Sequence, residues 1–253
     1  MGRAHIEFVK DGELDWRKEE LTDRLSPFEN KLLSIDTETG AFSRVVRMDE
    51  DWKAESVTFP SVQELYVLKG ELTMDGCQLG PDCYLRIPDG IEVDQITPRD
   101  RCRVLWTSDC ALDADGTHND HRFWEQPEDD LTVIDTTEMS WQGTEKEGPD
   151  DGLMVKYLWE DEETGAVSFL ARAEEWTEPR QEHHDCVETS YTLAGGMKMG
   201  DRGTMTKGDY FWRPPWVRHG PMEPVEAGFE AFLRVDGHLE NHYTSVKGVP
   251  LNY

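Results

Sequence analysis

The chain repeats itself. The segment running from Lys31 through Asp36, Glu38, Thr39 and Gly40 to Ala41 returns as Lys156 through Asp161, Glu163, Thr164 and Gly165 to Ala166, every identity at an offset of 125 residues. The same offset carries Trp16 onto Trp141, Arg47 onto Arg172, Tyr66 onto Tyr191, Leu68 onto Leu193 and Gly70 onto Gly195. Rare Trp and Gly positions that hold register across half a chain mark a duplication. In a sequence of 253 residues it predicts two copies of one domain, residues 1–125 and 126–253.

Each copy reads as short strands divided by turn residues. In the first, Gly40 to Arg47 alternates and is rich in β-branched residues, and Glu64 to Lys69 ends at Gly70. Glu71 to Met74 reaches the turn Asp75-Gly76, Cys83 to Ile87 leads to Pro88-Asp89-Gly90, and Cys102 to Thr107 closes the set. The second copy repeats the order with Ala166 to Arg172, Thr189 to Leu193, Tyr210 to Arg213 before Pro214-Pro215, and Phe229 to Val235. Such spacing predicts an all-β sandwich or barrel. Trp16 to Leu25 is the best short helix, and the polar, turn-rich stretch Ala111 to Asp130 reads as the connection between copies.

Composition excludes several functions. Against 53 Asp plus Glu stand 26 Lys plus Arg, a net charge of −27, which repels phosphate backbones and anionic lipid. Nucleic-acid and membrane-surface partners are therefore not expected. Nine Trp, nine Phe and seven Tyr supply the apolar surface that disordered chains lack. No apolar run approaches the ~20 residues of a membrane span and no signal core opens the sequence, so a cytoplasmic location is expected. Five cysteines without a Cys-x-x-Cys pair fit reduced thiols.

A strand ending in Val-Leu-x-Gly, a hairpin, and then Gly208-Asp209-Tyr210 followed by Pro214-Pro215 resembles the cupin superfamily, and two such copies resemble a bicupin of tandem jelly-roll barrels. Cupins carry His-x-His, then Glu and Gly, in one stretch, and Gly, Pro-x-Gly and His in another. In the second copy the first stretch matches Gln181-Glu182-His183-His184-Asp185-Cys186-Val187-Glu188 with Gly195; the second matches Gly208, Pro214 and His219, with Trp216 at a glycine position. The resemblance implies metal ligands at Glu188 and His219 and at one or both of His183 and His184. Glu182 or Gln181 is then an extra ligand, depending on which histidine is used. Alternation along a regular strand puts 182, 184 and 188 on one face and 183 on the other, and a bulge would reverse that choice.

The first copy has lost these groups. The repeat maps Glu182 onto Val57, His184 onto Phe59, Glu188 onto Gln63 and His219 onto Val93, none of which holds a divalent cation. Glu64 lies one position past the ligand slot and is expected to face solvent. This copy reads as a metal-free partner that packs against the second or builds a homodimer. Of the remaining candidates, His118 and His121 fall in the polar connection, and His238 and His242 need a helix that Gly237 and Asn241 discourage. Cys186 between the proposed ligands reads as small core filler. Nucleotide-binding glycine loops and a serine-nucleophile turn are absent.

Two histidines with one or two carboxylates suit Fe(II) first, and also Zn(II), Mn(II) or Ni(II). The barrel mouth is expected to be lined by some of Met154, Tyr157, Phe169, Tyr191, Met197, Met205, Phe211, Trp212, Trp216 and Phe232, with Tyr191 and Trp212 taken as substrate contacts. Arg213 or Arg218 is placed to bind a substrate carboxylate, although an exterior ion pair is the favoured role. The function so implied is a metal-dependent enzyme on a small organic molecule, a non-heme iron dioxygenase of a diketone, hydroxyketone or phenol. Its alternatives are a cupin lyase or isomerase and a non-catalytic metal-binding sensor. The repeated Glu-Thr-Gly-Ala stretch also resembles the ChrR-like cupin of zinc-binding anti-sigma factors, without their zinc segment.

Overall fold

The computed structural model of the chain describes residues 2–20, 24–112, 131–144, 152–174 and 181–244. Its described residues form β-strands and three short 3-10 turns, with no α-helix among them. Two compact units emerge: Met1–Ala4 with Leu14–Met139, and His5–Glu13 with Ser140–Tyr253. The junction expected at 125/126 falls within 113–130, outside the described residues, as do His118 and His121.

The first unit holds a seven-stranded antiparallel sheet in the order Thr132–Asp135, Cys83–Ile87, Gln63–Lys69, Cys102–Ser108, Phe42–Met48, Phe28–Ile35, Arg17–Glu19. A four-stranded sheet, Ala54–Thr58, Glu92–Pro98, Leu72–Met74 and Cys77–Leu79, completes it. In the second unit the main sheet runs Ile6–Val9, Tyr210–Arg213, Glu188–Met199, Met222–Val235, Val167–Ala173, Leu153–Glu160, Gln142–Gly143. Two strands that are each interrupted in the first unit are continuous here, through register shifts at Thr192/Ala194 and Gly195/Met197.

Each sheet borrows an edge from the other half of the sequence. Ile6 pairs with Trp212, and Thr132, 126 residues later, pairs with Arg86, 126 residues before Trp212. The leading strand of each copy thus closes the sheet of the other copy's unit. In the second unit Lys10 adds an ion pair to Asp209 at 3.4 Å, and Phe8 packs on a cluster of methionines.

The repeated residues make the same local structure twice. Asp36 accepts hydrogen bonds from the amides of Glu38 and Thr39 at 2.8 and 3.0 Å, and Asp161 accepts from Glu163 and Thr164 at 2.9 and 3.4 Å. Trp16 lies under Lys31 and Arg47 at 5.2 and 4.5 Å, and Trp141 under Lys156 and Arg172 at 4.4 and 4.6 Å. These cation–π contacts explain why indole and cation recur together. Gly70 (φ 81) and Gly195 (φ 63) recur because a Cβ would lie 2.7 Å from the Arg101 carbonyl and 2.0 Å from the Gly228 carbonyl.

Two expectations fail here. The described residues between Trp16 and Leu25 are not helical: Arg17–Glu19 is a strand paired to Phe28–Ile35, since burying the Trp16 face on that neighbour outweighs local helix preference. Glu64 does not face solvent; it is 3% exposed and accepts a hydrogen bond from the Tyr84 hydroxyl.

The cores differ in kind. The described residues of the first unit include a large apolar cluster, with Trp106 at 5.9 to 6.1 Å from the rings of Phe28, Phe42 and Phe59. Among the described residues of the second unit are an aliphatic cluster around Val155, Val167 and Leu233 and a separate one of Met197, Met199, Met205, Met222 and Phe211.

Removing part of the borrowed edge should be felt in the second unit. Phe8→Ala is expected to cost about 1–2 kcal/mol, less than a fully buried Phe would. Denaturant unfolding followed by hydrogen exchange should show the loss at the Tyr210–Arg213 amides, while the amides of Gln63–Lys69 keep their protection.

Candidate metal centre

Glu182 and His219 form an antiparallel bridge in the second unit, each amide donating to the other's carbonyl, at 3.0 and 2.9 Å. That pairing sends both side chains to the same side, where Glu182 Oε1 lies 3.3 Å from His219 Nε2. The His184 ring joins them at 5.0 Å from the His219 ring. One ligand atom from each of Glu182, His184 and His219 falls within 4.8 Å of the others, and all three residues are buried.

Glu188 opens the next strand beside this group. Its Oε2 is 3.5 Å from His184 Nε2 and 3.8 Å from His219 Nε2. The single regular strand expected over these positions is in fact two: Gln181–His183 pairs with His242–Thr244, and Glu188–Met199 belongs to the main sheet. The carboxylates and His184 converge nonetheless. His183 does not join them; its ring stacks on His242 at 5.0 Å and meets Trp216 at 5.6 Å. Gln181 lies on the strand edge, its side-chain amide 3.4 Å from the Gly220 carbonyl.

Contacts behind the donors orient the group. His219 Nδ1 lies 3.0 Å from the Val217 carbonyl, which fixes the proton there and leaves Nε2 as the lone-pair nitrogen facing the cluster. Among the described residues, neither ring nitrogen of His184 nor His219 Nε2 has a well-formed hydrogen-bond partner. Buried imidazole nitrogens left open beside two carboxylates are the donors a divalent cation takes, so the residues fit a metal. Trp216 has the left-handed φ of 67° that a glycine would adopt freely, and its amide donates to the His184 carbonyl at 2.7 Å.

Arg213 is not an exterior ion pair. It is 1% exposed, and Nη1 donates to Glu188 Oε2 at 3.1 Å. The strand Tyr210–Arg213 pairs register-to-register with the start of Glu188–Met199, Arg213 opposite Glu188. Sequence reasoning missed this contact because it depends on a pairing rather than a motif. Burial alone would raise the Glu188 pKa, but His184, Arg213 and His219 hold it well below the ordinary range. For Glu182 burial is likewise overcome, chiefly by the adjacent His219 imidazole and then by His184, and the pKa falls. Burial disfavours charge on His184, yet Glu188 and then Glu182 outweigh it and raise the pKa to about 8. Burial and the nearby carboxylates push the Cys186 thiol up to about 12, so it is an inert thiol packed in the aliphatic cluster.

Glu182, His184 and Glu188 lie in the wall of a cavity of about 560 Å³. Of the ten expected lining residues, Tyr157, Phe169, Met197, Met205 and Phe211 line it. Tyr191 and Trp212 do not, since alternation along their strands turns them from the face that carries Glu188 and Phe211. Arg218 is exposed and outside the lining.

The first unit shows what fills this space when the ligands are gone. Val57 pairs with Val93 as Glu182 pairs with His219. The Gln63 amide donates to Ser61 and Ser108 and accepts from Trp106 Nε1 at 2.9 Å, a neutral and satisfied substitute for Glu188. Trp106 faces Leu65 across the sheet, whereas the same pairing in the second unit is Leu233 with Ser190. The smaller pair leaves the cavity open.

The family model described as "Domain of unknown function (DUF4437)" matches residues 7–242. No curated protein sequence matches the chain. Among solved structures, a candidate dioxygenase of Nostoc punctiforme is similar over 100% of this chain and 91% of its own, at 21% identity and a TM-score of 0.78. The Escherichia coli protein YlbA is similar over 92% and 91%, at 14% identity and a TM-score of 0.63. A single-residue variant of Bacillus subtilis oxalate decarboxylase is similar over 96% and 80%, at 13% identity and a TM-score of 0.59. These likenesses give the fold, a pair of cupin-type barrels in an all-β chain. No helix among the described residues is long and apolar enough to cross a membrane.

The shifts set a pH signature for metal-free protein. A raised His184 pKa stabilises the fold below about 6.5 and loses that contribution as pH climbs through about 8. The lowered Glu182 and Glu188 pKa values stabilise above about 4.5 and lose effect as pH falls below it. Thermal melts of EDTA-treated protein should therefore peak between those limits, and added Zn(II) should raise Tm most near pH 8, where His184 gives up its proton. A melting temperature flat from pH 6 to 9 would contradict the assignment.

Proposed function

From its place as a member of the DUF4437 family, and from the chemistry of its own residues, we propose that this chain is a metal-dependent enzyme on a small organic molecule, a non-heme iron dioxygenase of a diketone, hydroxyketone or phenol. One observation carries the reading: Glu182, His184 and His219 bring two imidazoles and a carboxylate within 4.8 Å of one another, and Glu182 and His184 line the cavity. Two histidines and one carboxylate with open positions is the donor set of non-heme Fe(II) oxygenases. The Nostoc protein's description as a candidate dioxygenase agrees with it.

The residues have separable tasks. His184, His219 and Glu182 would hold the ion, with Glu188 beside them. Once bound, the metal supplies Lewis acidity toward a substrate oxygen and a position for O₂. Val217 fixes the His219 tautomer through its carbonyl. His184 and then Arg213 keep Glu188 ionised, and the Arg213 hydrogen bond aims it at the group. The apolar cavity excludes water from the oxygens that meet the ion.

One observation favours a second reading. Glu188 Oε2 lies near both imidazoles, so four protein donors are at hand, the count of a closed structural zinc site. A non-catalytic zinc-binding module would use all four.

Metal analysis separates the two. Protein purified without added metal should hold one divalent ion per chain, and His184→Ala and His219→Ala should each lower occupancy by roughly tenfold or more. Iron with O₂ uptake on diketones, catechols or hydroxyketones supports the dioxygenase. Tightly held zinc without turnover supports the binding module, and full occupancy in both variants sinks the site.

A further inference from the structure

Resting on the reading of this cavity as the substrate pocket, we propose that Ser190 is a specificity residue whose hydroxyl bonds an oxygen of an uncharged, mainly hydrocarbon substrate. Ser190 follows Glu188 by two residues on one strand and faces the same cavity. It is 1% exposed, and its Oγ has no hydrogen-bond partner among the described residues. Buried hydroxyls are almost always paired, so an open one aimed into a cavity marks a place where a ligand supplies the partner.

The pairing frame singles out the position. Across the strands Ser190 stands opposite Leu233 and Phe211, both of which line the cavity. The first unit has Leu65 at this position, opposite Trp106 in a closed core. Exchange of Trp for Leu empties space, which an apolar residue at 190 would also have served. A hydroxyl there adds nothing to packing and costs desolvation unless it is bonded.

The rest of the lining sets the substrate's character. One wall is Met197, Met199, Met205 and Met222, flexible thioether side chains that adapt to varied hydrocarbon shapes. Among the described residues the lining holds no Lys or Arg, while Glu160, Glu182 and Glu188 are part of it. A carboxylate ligand would meet three carboxylates, with the His184 and His238 imidazoles as the basic groups set against them. An uncharged ketone or alcohol meets a hydroxyl and an apolar wall.

The test uses full-length, EDTA-treated protein, so it stands apart from the metal assignment. Calorimetry would measure toluene, acetophenone and benzoate binding to wild type, Ser190→Ala and Leu233→Trp. Acetophenone is expected to bind wild type, with benzoate weaker by about tenfold or more. Ser190→Ala should weaken acetophenone about five- to tenfold and leave toluene within about twofold. Leu233→Trp, which restores the bulk found in the first unit, should abolish both. An equal loss for toluene and acetophenone in Ser190→Ala would mean a structural role only and overturns the proposal. So does benzoate binding as tightly as acetophenone, absence of acetophenone binding to wild type, or binding that survives Leu233→Trp.

Discussion

The site depends on a pair of backbone hydrogen bonds. Glu182 and His219 lie 37 residues apart in sequence, yet each donates its amide to the other's carbonyl, and this narrow bridge fixes two donor side chains on one side. The first unit pairs Val57 with Val93 at the corresponding place. The backbone frame is therefore independent of the metal, and the chemistry is carried by the residues set on it. Glu188 and Arg213 are placed by their strand pairing, and His184 is held by the Trp216 amide on its carbonyl.

Much of this is legible in the sequence because it is local or repeated. The Asp36 and Asp161 turns and the Trp16 and Trp141 sandwiches depend on residues whose spacing is preserved, so the offset of 125 exposes them. The choice of Glu182 and His184 over His183 came from side-chain alternation. In the structure Glu182 and His184 converge and His183 stacks elsewhere, although the strand is broken. What stays hidden depends on which strands meet. The burial of Arg213 follows from its position opposite Glu188, and that of Glu64 from the reach of Tyr84. The cavity is hidden for a related reason: the partner of Leu65 is Trp106 and that of Ser190 is Leu233, a correspondence at 127 rather than 125. Small insertions between the copies had moved the bulky residue out of the simple alignment.

The two cores illustrate how one frame supports opposite ends. In the first unit a satisfied amide network around Gln63 and the packed rings around Trp106 give a closed interior. The second unit leaves imidazole nitrogens and a hydroxyl open beside a cavity. Open buried polar groups of this kind are the usual mark of a site kept for a ligand.

The borrowed edge strands also bear on how such a chain can evolve. Ile6–Val9 closes the sheet that carries Arg213, and Thr132–Asp135 closes the sheet that carries Gln63. After duplication, a copy free to lose its ligands was not free to be deleted. A gene shortened to the second half would encode a sheet with the backbone of Tyr210–Arg213 laid bare, an invitation to pair with other chains. The first half is thus a hostage of topology: whatever its interior carries, its sibling still folds around its first strand.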